Sequence, residues 1–474
     1  MKTAPDIAQR HRGTLGGRLT DRCVPLEVVV TLDRSVAETH IGQHLAWMLL
    51  NLLARQADEV VRISLRVPEG IRLAGSLGPL VPSSATDLAT ALRAGIALVN
   101  PRVLNSGGAP RAAAAIRVGP GALGRGDLVL ATSATGWAGY VGQQPSETFA
   151  DEDYNPIGAY VAACWCAGEV FKFARGVVPA HGDRPERLWL DAYRFEISSV
   201  FDGGSPPLPT DLRLGPAVIV GAGAVGNALL HALAVVPQLR GELTLIDSDP
   251  RGVDDTSLNR CVLFGLGDLG RPKASAAKTA FAGSDVRVDP VDESWQAWRQ
   301  ANPNTPLGLV ISAVDTNRAR HTIQDALPDL IIGASTNGML ARANLYDVAS
   351  GGPCLRCGNP LEAVMADDEA IALLQGLDAS LRREQAVRLG VDLDTLEAFL
   401  KDPIARCGTV DPATLRRFAA ERDEPAWSVG FVSALAGVFL AAEYLKLSLD
   451  PPRTALDAMM NTFRFQFWRS ADAD

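Results

Sequence analysis

At 474 residues, 47% hydrophobic and 21% charged, the chain has the composition of globular domains and the length for two or three of them. Its formal charge of −9 and pI near 5.3, with no run of clustered cations, argue against a nucleic-acid surface, which must neutralise phosphates. Seven cysteines in so long a chain do not make a secreted disulfide framework, and the opening MKTAPDIAQRHRGTL lacks the apolar core of a signal peptide, so a cytoplasmic location is expected.

In chain order, residues 1–24 read as an N-terminal arm and 25–200 as a first α/β half. That half opens with a strand, LEVVVTLD, and an apolar helix, HIGQHLAWMLLNLLA, and continues through DLVLATSATGWAG from Asp127. It closes with a small-residue-rich helix from Ile157 and a strand-like LWLDAYRFEIS from Leu188. Residues 201–213, FDGGSPPLPTDLR, cluster Gly, Pro, Ser and Asp as a linker does. A second half, 214–360, starts as a parallel βαβ unit: strand AVIVGAG, helix NALLHALAVVP, strand ELTLIDSD. A further strand, GLVISAVDTNRAR, carries Asp315 just past its end. Residues 361–425 form a charged, helically patterned insertion, and 426–474 supply a return helix and a final strand. The longest uncharged run, WSVGFVSALAGVFLAA from Trp427, is shorter than a membrane span and reads as a buried helix.

The two halves resemble each other in four segments in the same order. Both return helices end in Glu, two residues, then Lys: Glu169 and Lys172, Glu443 and Lys446. The strand-like segments after them share Leu-Asp-Ala and Arg-Phe, and DLVLATSATGWAG matches GLVISAVDTNRAR. The first half lacks the glycines of the second and has no acid matching Asp315, so it reads as a copy that kept the fold without the nucleotide. The fold class is thus α/β, with two Rossmann-like halves, the first inactive, and a helical cysteine-bearing insertion.

Gly221, Gly223 and Gly226 open a helix after a strand, where backbone N–H groups and the helix dipole can face a phosphate. Asp247 ends the next strand and is placed for ribose hydroxyls. Such a turn alone does not choose among nucleotides. The segment VDDTSLNRCVLFGLGDLGRPK adds Arg260 and Lys273, and only six of the 45 basic residues are lysines, so a lysine on a motif is informative. Attack on the α-phosphate of ATP requires charge stabilisation on departing pyrophosphate, and Arg260, Lys273 and a Mg²⁺-binding Asp315 form the set that chemistry needs.

IDSD, TSLNR, LGRPK and SAVDTN in this order resemble the ubiquitin-activating (ThiF/MoeB-like) superfamily. The resemblance implies MgATP binding by Gly223, Asp247, Asn259, Arg260, Lys273 and Asp315, with Asp249 beside them in IDSD. It implies adenylation of the C-terminal glycine of a ubiquitin-like protein, thioester formation on a cysteine and transfer to a conjugating enzyme. It also implies an intramolecular pseudo-dimer, an arginine from the partner half (Arg10 or Arg12) at the ATP site, and the setting of a bacterial ubiquitination-like pathway of antiviral defence. The chain departs from the family pattern at Thr256-Ser257, at Cys261, and in two extra residues before Thr256.

Family members hold zinc with two CxxC pairs, and this chain has one, Cys354 and Cys357, which leaves a four-ligand site incomplete. In the family the catalytic cysteine lies on or beyond the crossover, and Cys407, next to Arg406, is the candidate nucleophile. The competing readings are a sulfur-carrier adenylyltransferase, an NAD-dependent oxidoreductase and a non-catalytic scaffold. No nucleic-acid or membrane partner is expected.

Overall fold

The computed structural model describes residues 23–82, 84–104, 110–146, 154–176, 186–203, 205–360, 371–372, 374–376, 382–383, 393–401, 429–457 and 460–467. The chain divides into two compact units, Met1–Asn359 with Ser428–Asp474, and Pro360–Trp427.

The larger unit contains two seven-stranded sheets. The first is formed by β1 (Leu26–Leu32), β2 (Val60–Arg66), β3 (Ala112–Val118), β4 (Leu128–Thr135), β5 (Ala138–Gly142), β6 (Arg187–Asp191) and β7 (Glu196–Ser198), in the order β2-β1-β3-β4-β5-β6-β7. The second is formed by β8 (Ala217–Val220), β9 (Arg240–Ile246), β10 (Asp285–Val291), β11 (Leu309–Ser312), β12 (Leu330–Asn337), β13 (Leu340–Tyr346) and β14 (Thr462–Gln466), in the order β10-β9-β8-β11-β12-β13-β14. Each runs parallel through four or five strands and then antiparallel to its end. Two Rossmann-like halves follow, in which β1, β2, β3, β4, β5 and β6 correspond in place to β8, β9, β11, β12, β13 and β14.

The first half carries helices α1 (His40–Arg55), α2 (Leu88–Val99) and α3 (Ile157–Ala174). The second carries α4 (Ala224–Ala234), α5 (Trp295–Ala301) and α6 (Asn317–Asp325); α7 (Leu393–Lys401) belongs to the smaller unit and α8 (Gly430–Leu447) returns to the larger. By length and composition α3 and α8 could each cross a bilayer, but 94% of each is buried inside the fold. Burial on all sides explains why both are apolar around their whole circumference. They pack on each other, α3 also on α1 and β4–β5, α8 also on α4 and β12–β13. Their small residues permit the approach: a Cβ on Gly437 would stand 2.3 Å from the Val225 carbonyl oxygen of α4.

The topology corrects two pairings expected from the sequence. DLVLATSATGWAG spans β4 and the start of β5, which correspond to β12–β13, whereas GLVISAVDTNRAR begins with β11, whose counterpart is β3, AAAAIRV. Alternating apolar strands look alike, and only the neighbours they pair with tell them apart. The shared Leu-Asp-Ala also falls differently, within and just after β6 in the first half but before β14 in the second.

In the smaller unit, α7 buries Leu396, Phe399 and Leu400, and Arg382 Nε donates to Glu397 at 2.8 Å. Cys407 lies outside the described residues, as do Arg10 and Arg12.

Candidate nucleotide site

Strand β8 lies between β9 and β11, so the connections leave it in opposite directions and a crevice opens at its carboxyl end, where α/β sheets bind ligands. The three glycines there have different jobs. Gly221 has φ +104°, and a Cβ on it would stand 2.7 Å from the Ala313 carbonyl oxygen beyond β11. Only glycine fits that left-handed, closed position. A Cβ on Gly226 would lie 1.9 Å from the Gly221 oxygen, so α4 presses directly on the turn. Gly223 is the N-cap of α4 and makes no side-chain cap bond; a Cβ on it would meet nothing within 4 Å. The space in front of the first helical N–H groups is therefore open, and the helix dipole favours an anion in it.

The first half is closed at the matching place. Asp33 follows β1 where Gly221 follows β8; its carboxylate accepts from Ser35 N–H at 3.1 Å and pairs with Arg117 from β3. A carboxylate stands there instead of an open turn.

Asp247 accepts from Ala222 N–H at 2.7 Å and from Asp249 N–H at 3.0 Å, tying the end of β9 to the glycine turn. Buried Lys273, at the start of a short helix (Lys273–Lys278), donates to Asp249 Oδ2 at 2.6 Å. Burial alone would raise the Asp249 pKa, but the Lys273 ammonium and the Arg251 backbone and side chain hold this carboxyl well below the usual range. Lys273 and Asp249 thus neutralise each other.

The segment after β9 turns through Asp255–Leu258, where Asp254 accepts from Ser257 N–H, Ser257 Oγ and Thr256 Oγ1, each at 2.8 Å. The Thr256-Ser257 departure is therefore used as a helix cap. Buried Asn259 and half-buried Arg260 follow. Arg260 Nε is buried, and no side-chain hydrogen bond or ion pair joins Arg260 to any described residue. A buried N–H without an acceptor is costly, and a ligand oxygen would meet it. Neighbouring Cys261 reports the local field: burial raises its pKa, while Arg260, Lys273 and Arg55 lower it and Asp247 raises it.

Asp315 is exposed just past β11, with no hydrogen-bond partner among the described residues. Arg320, which shares its field, is held instead by Asn317 Oδ1 at 2.6 Å and the Val314 carbonyl at 2.8 Å. A free, exposed carboxylate at this strand end fits a hydrated Mg²⁺ carried on a polyphosphate. The fold thus brings Gly221, Gly223, Gly226, Asp247, Asp249, Lys273 and Asp315 to the carboxyl ends of β8, β9 and β11, with Asn259 and Arg260 on the segment that leads from β9 to Lys273.

Cys354 caps a one-turn helix (Leu355–Gly358) that contains Cys357, with the two sulfurs 3.3 Å apart. Burial opposes ionisation of Cys354, yet N–H groups of Cys357 and Arg356 and the Cys357 thiol outweigh it and lower its pKa. Among the described residues no group of three or more His, Cys, Asp or Glu side chains could hold a metal.

Asn51 and Arg55, in the last turn of α1, escape the sequence reading. Both are buried, and both donate to carbonyls of the segment that carries Arg260. Their only sequence signal is two polar residues four apart on an otherwise apolar helix end, LLNLLAR.

The ThiF family profile matches residues 209–472, the whole of the second half and more than half of the chain. An uncharacterised protein, y4jF of Sinorhizobium fredii, is 29% identical over 328 residues, 63% of this chain and 61% of that protein. The human ubiquitin-like modifier-activating enzyme 7 is 35% identical over 113 residues, 23% of this chain and 11% of that enzyme. The chain spans less than two thirds of the length of either relative. Enzymes of this family are generally adenylating and use ATP with Mg²⁺. With its glycine turn and acid-ended β9 inside the matched region, the chain belongs to the ThiF family, within the superfamily that includes ubiquitin-activating enzymes.

Proposed function

We propose that this protein adenylates the C-terminal glycine of a ubiquitin-like protein, captures the product as a thioester on its own cysteine and passes it to a conjugating enzyme. The observation that carries the reading is the pairing of an open turn at Gly223 with an Arg260 whose buried Nε has no partner among the described residues. Both ask for an anion at one strand end.

The substrate carboxylate attacks the α-phosphorus of ATP and pyrophosphate leaves. The Gly221–Gly226 turn and the α4 N-terminus receive phosphate oxygens, and Asp247 accepts from the ribose. Asn259, Arg260 and Lys273 face the triphosphate; as polyphosphate enters, Lys273 exchanges Asp249 for it. Mg²⁺, when bound, supplies charge neutralisation on the phosphates, and Asp315 is the residue that would hold it. A thiolate, assigned to Cys407, then attacks the glycyl carbonyl and AMP departs.

In this reading the first half is the nucleotide-free member of an intramolecular pseudo-dimer and residues 361–425 are the crossover. Half-buried Arg342 supports a protein substrate: its Nε has no partner, and it lies directly opposite exposed Arg464 on β14. Like charges across a ladder repel, and an acidic partner relieves the repulsion.

The test is ATP–pyrophosphate exchange with a ubiquitin-like protein ending in glycine, encoded beside this gene. Exchange that depends on that protein, and a thiol-labile band on a non-reducing gel, are expected. Exchange without any thioester would reassign the protein to sulfur-carrier activation, and tight NAD binding without ATP binding would refute the assignment.

A further inference from the structure

The segment that presents Arg260 is held from the other half of the molecule. Asn51 Nδ2 donates to the Val262 carbonyl at 2.9 Å, and Asn51 Oδ1 accepts from Arg55 Nε at 2.8 Å. Arg55 then donates through Nη1 to the Leu258 carbonyl and through Nη2 to the Phe264 and Val262 carbonyls, at 2.8 and 3.3 Å. The second half contributes Asn227, whose Oδ1 accepts from Leu263 N–H at 2.7 Å. A few residues on, Gly265 lies so close to α2 that a Cβ would stand 2.9 Å from the Leu98 carbonyl oxygen.

Arg55 is a fully buried guanidinium with no ion pair among the described residues; it donates to Asn51 Oδ1 and to the carbonyls of one loop, with Asp268 in its field. Burying a cation so is expensive when small neutral donors or water could satisfy three carbonyls. The planar fork has a property those lack: it fixes several acceptors in one rigid geometry. The acceptors at Leu258 and Val262 bracket Asn259 and Arg260.

We infer that Arg55, oriented by Asn51, is a positioning residue: the half without a nucleotide sets where Arg260 stands for the nucleotide of the other half. The inference rests on the nucleotide reading above and extends it to a residue outside the ThiF-matched region.

The experiment uses the full chain and MgATP as probe, comparing wild type, Arg55→Lys, Asn51→Ala, Arg260→Ala and the Arg55→Lys/Arg260→Ala double variant. Calorimetric Kd is one readout. The other is hydrogen exchange of amides 258–265 without nucleotide. Lysine keeps the charge and loses the fork, so it separates geometry from field. Arg55→Lys is expected to speed exchange across 258–265 and to weaken MgATP about tenfold, with Asn51→Ala following in the same direction. The double variant should bind no worse than Arg260→Ala, because both changes act through one side chain. Additive losses, or unchanged Kd in a folded Arg55→Lys protein, overturn the inference while leaving the nucleotide reading intact. Unchanged exchange in both α1 variants overturns it whatever the protein binds. A wild type that does not bind MgATP overturns the nucleotide reading, and the inference with it.

Discussion

Lys172 and Lys446 reach across the two halves in opposite directions. Lys172 Nζ donates to the Phe467 carbonyl beyond β14 at 2.8 Å, and Lys446 Nζ donates to the Ala192 and Tyr193 carbonyls beyond β6, at 3.1 and 2.9 Å. Each is also paired one turn back, with Glu169 and Glu443 respectively. Burial lowers the Lys446 pKa and Glu443 opposes that shift. Lys446→Met strands a buried carboxylate and should cost about 3–5 kcal/mol, whereas Glu443→Gln with Lys446→Met should recover most of it. Urea denaturation followed by fluorescence checks both values, and one transition for both halves is expected.

Gly221 and Gly223 separate stability from binding. Gly221→Ala puts a Cβ into the Ala313 carbonyl from a left-handed backbone and should destabilise the fold by about 1–3 kcal/mol. Gly223→Ala points its methyl into open space, so stability should hold while MgATP binding weakens. Thermal unfolding and calorimetry on the two variants distinguish the roles; equal MgATP affinity in wild type and Gly223→Ala would place the phosphates elsewhere.

A histidine cluster sets the acid limit. His40 and His44 of α1 face each other through Nε2 atoms 3.1 Å apart, His44 Nδ1 meets Tyr160 of α3 at 3.0 Å, and His231 of α4 packs on the Tyr160 ring. Burial pushes His40 to about 4 and His231 to about 3, with Arg55 adding to the latter, and takes His44 well below its ordinary value. These groups stay neutral when folded and protonate near 6.5 when unfolded. Their contribution is therefore full above about pH 6.5 and falls as pH drops toward the folded values, by about 2 kcal/mol per histidine at pH 5. Urea midpoints should fall steeply between pH 7 and pH 5, and less so in His231→Leu.

Lys273→Ala tests the pair at Asp249. Pyrophosphate exchange should drop about a hundredfold, the scale of losing one charge contact to a transition state. The depressed Asp249 pKa adds stability above the usual carboxylate range that is lost as pH falls below about 4. The variant should lack the Lys273 share of that increment at pH 7 and keep the Arg251 share, so the gap between its melting temperature and that of wild type should narrow in acid.

Cys407→Ala should abolish the thiol-labile band while exchange continues, because adenylation and capture use different groups. A band that survives there and vanishes in Cys357→Ala would move the nucleophile to the CxxC.

Much of the candidate crevice's backbone is legible in the sequence because its rules are local: glycines between strand and helix, an acid at a strand end, a rare lysine on a motif. Position along one strand carries that information. Pairing does not: β3, an alanine-rich strand without a motif, goes unnoticed, and β4 takes its place in the comparison of halves. The Lys273–Asp249 bond, and the lack of a partner for Arg260 Nε among the described residues, depend on which groups meet after folding. Asn51 and Arg55 lie about two hundred residues from the segment they hold, as the separations of 211 and 203 record, and no local pattern spans that distance.

The Asp33–Arg117 pair at the end of β1 also fixes a stoichiometry. A dimer of two identical halves presents two phosphate turns that can communicate, and its response to nucleotide can be sigmoidal. Here the turn after β1 holds Asp33, engaged with Arg117 and Ser35 N–H, so on the proposed reading each polypeptide has one phosphate turn. Saturation with MgATP should be hyperbolic, with a Hill coefficient of about 1 and one nucleotide per chain. On the proposed reading, a substrate would then be activated one molecule at a time, without waiting on a second site.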